Sequence, residues 1–492
     1  MRRRLMGLEK EYGLYGVNPK KMAETVDKIL SQMRTGLEHL AIEAVRYRTI
    51  YWSINGAKLY NDTQGDHLEY ATPECESFKD IVACDKAGEK ILIRLVNSYN
   101  QKEKRKILIL KNNISYYRSN ETDGIVSGET SWGDHECYLL EAFENICSES
   151  RFIDNILPHL VTEIIYTGAG HIESLGDSYC YVLSSRAGFI TKKTGESATA
   201  DRPFIMRRYG QDTHADYNKW LRYQVVSNEA NMLEVPTFLK FLTTHLCFRL
   251  VEEGWQLPID LALDAPSQLK KLNRDIYLED SLELLNGQTK KAIDIERVYL
   301  EAAKTLDLTD EERKGLELWE WVLDLLSCDL KLDGNLKKLF GVLDRTTKWY
   351  WLKKRMEKRN WPLSHPEILG MNLKYHILSD SPKESLWCLL NLKDKEEPFI
   401  YRVVSEEEIE RALTEPPQTR AKIRSDFIKL ACHYSPERFK VINSDIWSEA
   451  VLEVKGENKQ IKIDFGNDDP LNPSRESFEN FKRMILENTP GH

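Results

Sequence analysis

The chain has 492 residues, a formal net charge of −9, 41% hydrophobic and 30% charged content, which predicts a soluble globular protein with one large and one smaller domain and argues against nucleic acid as a general partner. No apolar run is long enough to span a bilayer, and the basic start Met1-Arg2-Arg3-Arg4 lacks the apolar stretch of a leader. The cysteines, an odd nine with no C-x-x-C pair, argue against a disulfide framework or a zinc site and predict a reducing cytoplasm.

The first element is Gly7-Leu8-Glu9-Lys10-Glu11-Tyr12-Gly13, where Glu9 and Glu11 are two apart and share one face of an extended strand. Tyr60-Asn61-Asp62 and His67-Leu68-Glu69-Tyr70 answer it with further carboxylates. Clustered acids repel unless a cation neutralises them, so magnesium held by oxygen ligands is one reading. An edge strand with a solvated acidic face is the other, and spacing alone favours it.

Residues 1 to about 265 alternate β-rich and helical runs. The pattern predicts a helix over 80–97 with Gly88 as its weak point, strands at 106–110 and 222–226, and a helix over 236–253 that starts at a proline and stops at Gly254. Residues 266–360 are charge-dense and helical in pattern. There, Thr309 followed by three acids marks a helix start, and Leu316, Trp319, Trp321 and Leu325 predict a packed stripe. Pro416-Pro417 marks the expected boundary between a catalytic domain, 1–415, and a small C-terminal domain, 416–492, with a helix near 427–430, a strand at 461–465 and a loop over 466–473.

Several motifs occur in one order along the chain: Gly7–Gly13, Asn55-Gly56-Ala57-Lys58-Leu59-Tyr60-Asn61-Asp62, Glu69-Tyr70-Ala71-Thr72-Pro73-Glu74-Cys75, Ser131-Trp132-Gly133-Asp134-His135-Glu136-Cys137-Tyr138, Asn231-Met232-Leu233-Glu234 and Thr419-Arg420-Ala421-Lys422-Ile423-Arg424. Together they resemble the Pup ligase/depupylase family of glutamine synthetase-like carboxylate–amine ligases. The resemblance implies an α/β (α+β) fold with a curved, mostly antiparallel sheet as a cradle, helices on its other side and a small C-terminal domain. It implies ATP and Mg²⁺ as cofactors, with a Pup-like modifier and lysine-bearing proteins as partners. Glu9, Tyr60 and Glu69 fall where the family binds magnesium, with Glu11 and Glu136 as further metal candidates. Asp62 falls at the catalytic base, and Lys58 and Thr72 where the family contacts ATP. Arg202 and Arg222 are phosphate or substrate-carboxylate candidates by charge and position. Trp447 stands for the family's adenine-stacking tryptophan, with core packing as the alternative.

The chain departs from the pattern at Lys58 (family Arg), Cys137 (Asn), Gln224 (His) and Glu163 (Arg), and inserts residues 114–130. These departures imply conserved nucleotide machinery and a substrate-facing surface that has drifted. Gly13 and Asn55 are 42 positions apart, which resembles the ligase branch. The alternatives are an ATP-requiring depupylase-type isopeptide hydrolase, or a diverged nucleotide-binding paralog acting on another carboxylate or without catalysis.

Overall fold

The computed structural model describes residues 3–33, 41–45, 49–62, 66–118, 125–142, 149–176, 178–258, 262–392, 400–441, 447–456 and 459–487. Its frame is an 11-stranded sheet. In chain order the strands are β1 (Met6–Tyr15), β2 (Ala41–Val45), β3 (Thr49–Ser53), β4 (Lys58–Asp62), β5 (His67–Ala71), β6 (Leu108–Leu110), β7 (Asp134–Glu141), β8 (Lys192–Gly195), β9 (Pro203–Arg208), β10 (Trp220–Val225) and β11 (Ile377–Leu378). Across the sheet they run β8-β9-β10-β7-β1-β5-β4-β3-β2, with β6 beside the end of β1 and β11 beside β6. Among the described residues of this sheet only β8 and β9 pair in parallel, so the expected mostly antiparallel architecture is the one observed.

Alternation gives the sheet two unlike faces. Leu8, Tyr12, Leu59, Leu68, Tyr70, Tyr138, Leu140, Tyr223 and Val225 belong to the main core, shared with the helices α1 (Phe78–Glu103), α2 (Glu149–Thr162) and α3 (Glu234–Glu252). Helix α1 begins where Ser77 Oγ accepts from the amide of Asp80. Its Gly88 is a close-approach point, because a Cβ there would stand 2.6 Å from Tyr70 Cδ1. Helix α3 starts two residues before the expected proline and stops just short of Gly254, whose φ is +90°.

A charged network lies inside this apolar layer. Lys10 of β1 reaches Asp85 at 2.8 Å and Asp134 at 3.5 Å; Lys111 pairs with Asp85 at 2.6 Å and with Glu89; Lys240 pairs with Asp134 at 2.7 Å. Burial lowers the Lys10 ammonium to about 8 against the pull of Asp134 and Asp85.

The 266–360 region is largely helical, as its pattern predicts, with one short hairpin, Ser281–Glu283 against Thr289–Lys291. Thr309 and Glu312 form a reciprocal cap on the helix Asp310–Leu326. Trp319 in that helix is buried, but Trp321 is exposed beside Tyr401, so the tryptophan stripe is only half core. The 114–130 insertion is a hairpin of Ile114–Arg118 and Ile125–Ser131; its residues 119–124 lie outside the described residues, as do Thr63-Gln64-Gly65 after Asp62.

Beyond Pro416-Pro417, the helix Arg420–Arg438 is followed by a three-stranded sheet (Phe439–Val441, Glu449–Val454, Gln460–Asp464) and the helix Glu476–Glu487. Residues 466–473 are loop, as expected. The second core, around Phe427, Ile463, Phe465 and Phe481, also takes in Ile50, Trp52, Ile54 and Ala71. The C-terminal part therefore packs directly on the β3–β5 edge of the cradle.

Candidate active site

The acidic face of β1 points away from the helices. Glu11 lies directly opposite Glu69, Tyr60 opposite the same Glu69, Asp62 opposite His67, and Glu9 opposite His135. Two glutamates facing each other across a sheet repel. Burial, then Glu11, Glu9 and Asp62, hold the Glu69 carboxyl well above the usual carboxylate range. The Tyr60 hydroxyl donates to Glu69 Oε1. Glu9 differs: against the burial that would raise it, Arg222 and His135 hold its carboxyl well below the ordinary range.

Glu9 is clamped. Arg222 donates to its Oε1, and Gln224 Nε2 donates to its Oε2 at 2.7 Å. Glu11 Oε1 accepts from the amide of Gly133 at 2.9 Å. The buried His135 Nε2 has no hydrogen-bond partner among the described residues, and a Cβ on Gly133 would collide with it and with Glu11. Among the described residues no three His, Cys, Asp or Glu side chains converge at metal-ligand spacing. The donors nevertheless fit a hard divalent cation, since they are oxygens on one face, mutually repelling at Glu11 and Glu69. Glu9, Glu11, Glu69 and the Tyr60 phenol are the groups that could hold one.

Glu136 does not join them. It is adjacent in sequence to His135, and neighbouring strand residues point to opposite faces, so Glu136 faces the helices and is fully buried. It accepts from Asn228 at 2.7 Å and from the Tyr138 hydroxyl at 2.5 Å. Burial, then Glu163, push its carboxyl up to about 8. The expected metal ligand from this segment is corrected: His135 is the residue on the cradle face.

Two depressions flank the acids. One is lined by Glu9, Thr72, His214, Arg222, Arg420 and Trp447. Thr72 Oγ1 accepts from the amide of Leu8 at 3.0 Å. Trp447 packs edge-on against Trp52 at 4.8 Å with the Arg424 guanidinium 4.7 Å away, so it both fills the second core and walls this pocket. Lys58 Nζ sits 4.3 Å from the Tyr60 ring and 5.9 Å from the Trp52 ring, under the same edge. The other depression, about 970 Å³, is lined by Glu11, Asp62, His67, Trp132, Arg186 and Arg202, among others. Arg202 donates to the carbonyl of Ser131 at 2.9 Å and lines the larger cavity, not the depression that holds Thr72 and Trp447.

The departures are also placed differently from expectation. Cys137 and Gln224 lie opposite each other on β7 and β10, in the floor beside Glu9 rather than on a substrate-facing rim. Glu163 is buried under the sheet, its Oε1 accepting from Asn228 at 2.8 Å. Arg186, a phosphate or carboxylate candidate from its charge and position, lines the larger cavity, whereas Arg208 carried no signal in the sequence. Arg208 faces the floor only because β9 lies beside β10, and no local pattern carries that.

An antiparallel cradle with facing acids, a tryptophan-walled pocket on one side and a larger cavity on the other belongs to the glutamine synthetase-like class of folds. Residues 4–441 match the family described as Pup-ligase protein. Curated relatives include the Pup--protein ligase of Acidimicrobium ferrooxidans, 32% identical over 440 residues, covering 87% of this chain and 89% of the relative. That of Nocardioides sp. is 32% identical over 435 residues, covering 88% and 90%. Among solved structures, the complex of Pup with its ligase PafA superposes with a TM-score of 0.79 at 23% identity, covering 99% of this chain and 92% of that one. PafA in complex with ADP gives 0.73 at 22% identity, covering 96% and 95%. The chain belongs to the Pup ligase family.

Proposed function

We propose that this protein is an ATP-dependent ligase that joins the C-terminal glutamate of a Pup-like modifier to lysines of other proteins through an isopeptide bond. The observation that carries this reading is the row of cradle-face acids between two unlike depressions, in a chain that matches its ligase relatives nearly end to end. Relatives named as ligases favour ligation over the hydrolase and paralog alternatives.

A carboxylate is a poor electrophile until phosphorylated. In the first step a carboxylate oxygen of the modifier attacks the γ-phosphorus and ADP leaves. In the second, the lysine nitrogen attacks the acyl carbon, phosphate leaves, and a proton must be taken from the amine. Asp62, on the wall of the larger cavity, is the base for that proton. Thr72, Arg222 and Trp447 wall the nucleotide side, and Lys58 adds positive charge at its edge. Arg186 and Arg202, in the larger cavity, suit the modifier's carboxylates. Glu9, Glu11, Glu69 and Tyr60 would hold magnesium, which when bound offsets phosphate charge. Residues 416–492 form the smaller domain that closes the nucleotide side. Among the described residues no helix is long and apolar enough to cross a membrane, and the nine cysteines without a C-x-x-C pair support a cytoplasmic reading.

The test is incubation with Mg-ATP, a Pup-like protein ending in glutamate and a lysine-rich acceptor, followed by intact-mass analysis and ADP measurement. An acceptor heavier by the modifier less one water, with ADP formed, is the expected result. Bound nucleotide with neither adduct nor ADP would defeat the proposal.

A further inference from the structure

We infer that Gln224 is the residue that positions Glu9 for the cation, acting as a neutral bridge between Arg208 and that carboxylate. The side chain of Gln224 is wholly buried, yet every polar group it carries is used. Its Nε2 donates to Glu9 Oε2 at 2.7 Å and to Cys137 Sγ at 3.2 Å, and its Oε1 accepts from Arg208 Nε at 2.5 Å. The amide has one sensible orientation, because a guanidinium can only donate and a carboxylate can only accept.

The geometry of three strands makes this bridge possible. Gln224 of β10 is opposite Cys137 of β7, and Cys137 is opposite Gly7 of β1. A small residue at 137 and none at 7 leave the glutamine a path across two strands to Glu9. Arg222 holds the other oxygen of the same carboxylate. Glu9 is thus fixed at both oxygens and retains lone pairs for a further partner, since an ionised carboxylate accepts at about four positions. A carboxylate at 224 would repel Glu9, and an apolar residue would free it to rotate and leave Arg208 without its acceptor. Partners that orient a ligating carboxylate change metal affinity by about 10–100-fold when removed.

This inference rests on the magnesium-dependent ligase reading and deepens it. The test titrates Mn²⁺ into the full-length, nucleotide-free protein and separately measures half-saturating Mg²⁺ for conjugation. It compares wild type with Gln224→Met, which keeps the volume without polar atoms, and Gln224→Asn, whose amide is one methylene too short. Both variants are expected to bind Mn²⁺ about tenfold or more weakly and to need correspondingly more Mg²⁺, while turnover at saturating Mg²⁺ stays within about threefold of wild type. If the Met variant fails to fold, the Asn variant decides. Unchanged Mn²⁺ affinity in a folded variant, or a loss confined to saturated turnover, would overturn the inference. A wild type that forms no conjugate while its Mn²⁺ affinity still depends on residue 224 would sink the ligase reading and leave the positioning role standing.

Discussion

Asp62 stands at the end of β4, opposite His67 and within the wall of the larger cavity. It is on the same face as Glu69 but outside the pocket walled by Thr72 and Trp447. Removing its charge should therefore spare nucleotide binding and strike amine attack. Asp62→Asn is expected to bind ATP within about threefold of wild type and to form conjugate at least about 10²-fold more slowly, the usual scale of a lost general base. Equilibrium nucleotide binding and single-turnover conjugation distinguish the two effects. At this scale the sequence was informative where alternation was respected: Glu9 and Glu11 do share a face. It misled at Glu136 because a motif read as a string does not say which of two adjacent residues faces the site. Lys58, Cys137 and Gln224 were visible as departures, but their mutual geometry depends on strands far apart in the chain.

Helix α1 shows why a local rule can invert in context. Glycine inside a helix costs roughly 1 kcal/mol relative to alanine, and Gly88 reads as a weak point on that basis. Packed against the Tyr70 ring, it is instead the residue that lets the helix lie on the sheet. Gly88→Ala is expected to lower stability by about 1–3 kcal/mol, the range for overpacking a filled core, despite its better helix propensity. Thermal unfolding of the single variant against Gly88→Ala combined with Tyr70→Leu checks this, since the smaller partner should recover most of the loss. Element types were well signalled by periodicity and end signals, as at Thr309 and Gly254, whereas the Ser77 cap of α1 was not. The 114–130 hairpin was visible only as an insertion, because its pairing partner is itself.

At the scale of the whole chain, the join between the C-terminal part and the cradle runs through Glu74. Its carboxylate pairs with Arg420 Nε at 2.7 Å and with Arg424. Against the burial that would raise it, Arg424 and Arg420 lower the group from 4.5 to about 2. A depressed carboxyl stabilises the fold above its ordinary pKa, and that stability is lost as pH falls from about 4.5 toward 2. The shift corresponds to a contribution on the order of 3 kcal/mol near neutral pH. Chemical denaturation between pH 6 and 2.5 should show Glu74→Gln less stable at neutral pH and less steeply dependent on acid than wild type. A parallel pH dependence in the two proteins would contradict it. The proline pair at 416–417 led to the expectation of a boundary there, but nothing local announced that Trp52 and Ala71 would be shared with the second core. Strand order was equally hidden, since β10 and β7 meet across some eighty residues.

The lysine–carboxylate network under β1 has a bearing on the chemistry it never touches. If β1 slipped by one residue, every side chain would change faces: Lys10 would turn out to the cradle face, and Glu9 and Glu11 would enter the helical layer. Asp85 and Asp134 would then be left facing incoming acids, an arrangement far costlier than a merely apolar mismatch. The buried ions act as an index mark for the strand, and the inactive side of the sheet is what settles which side is active.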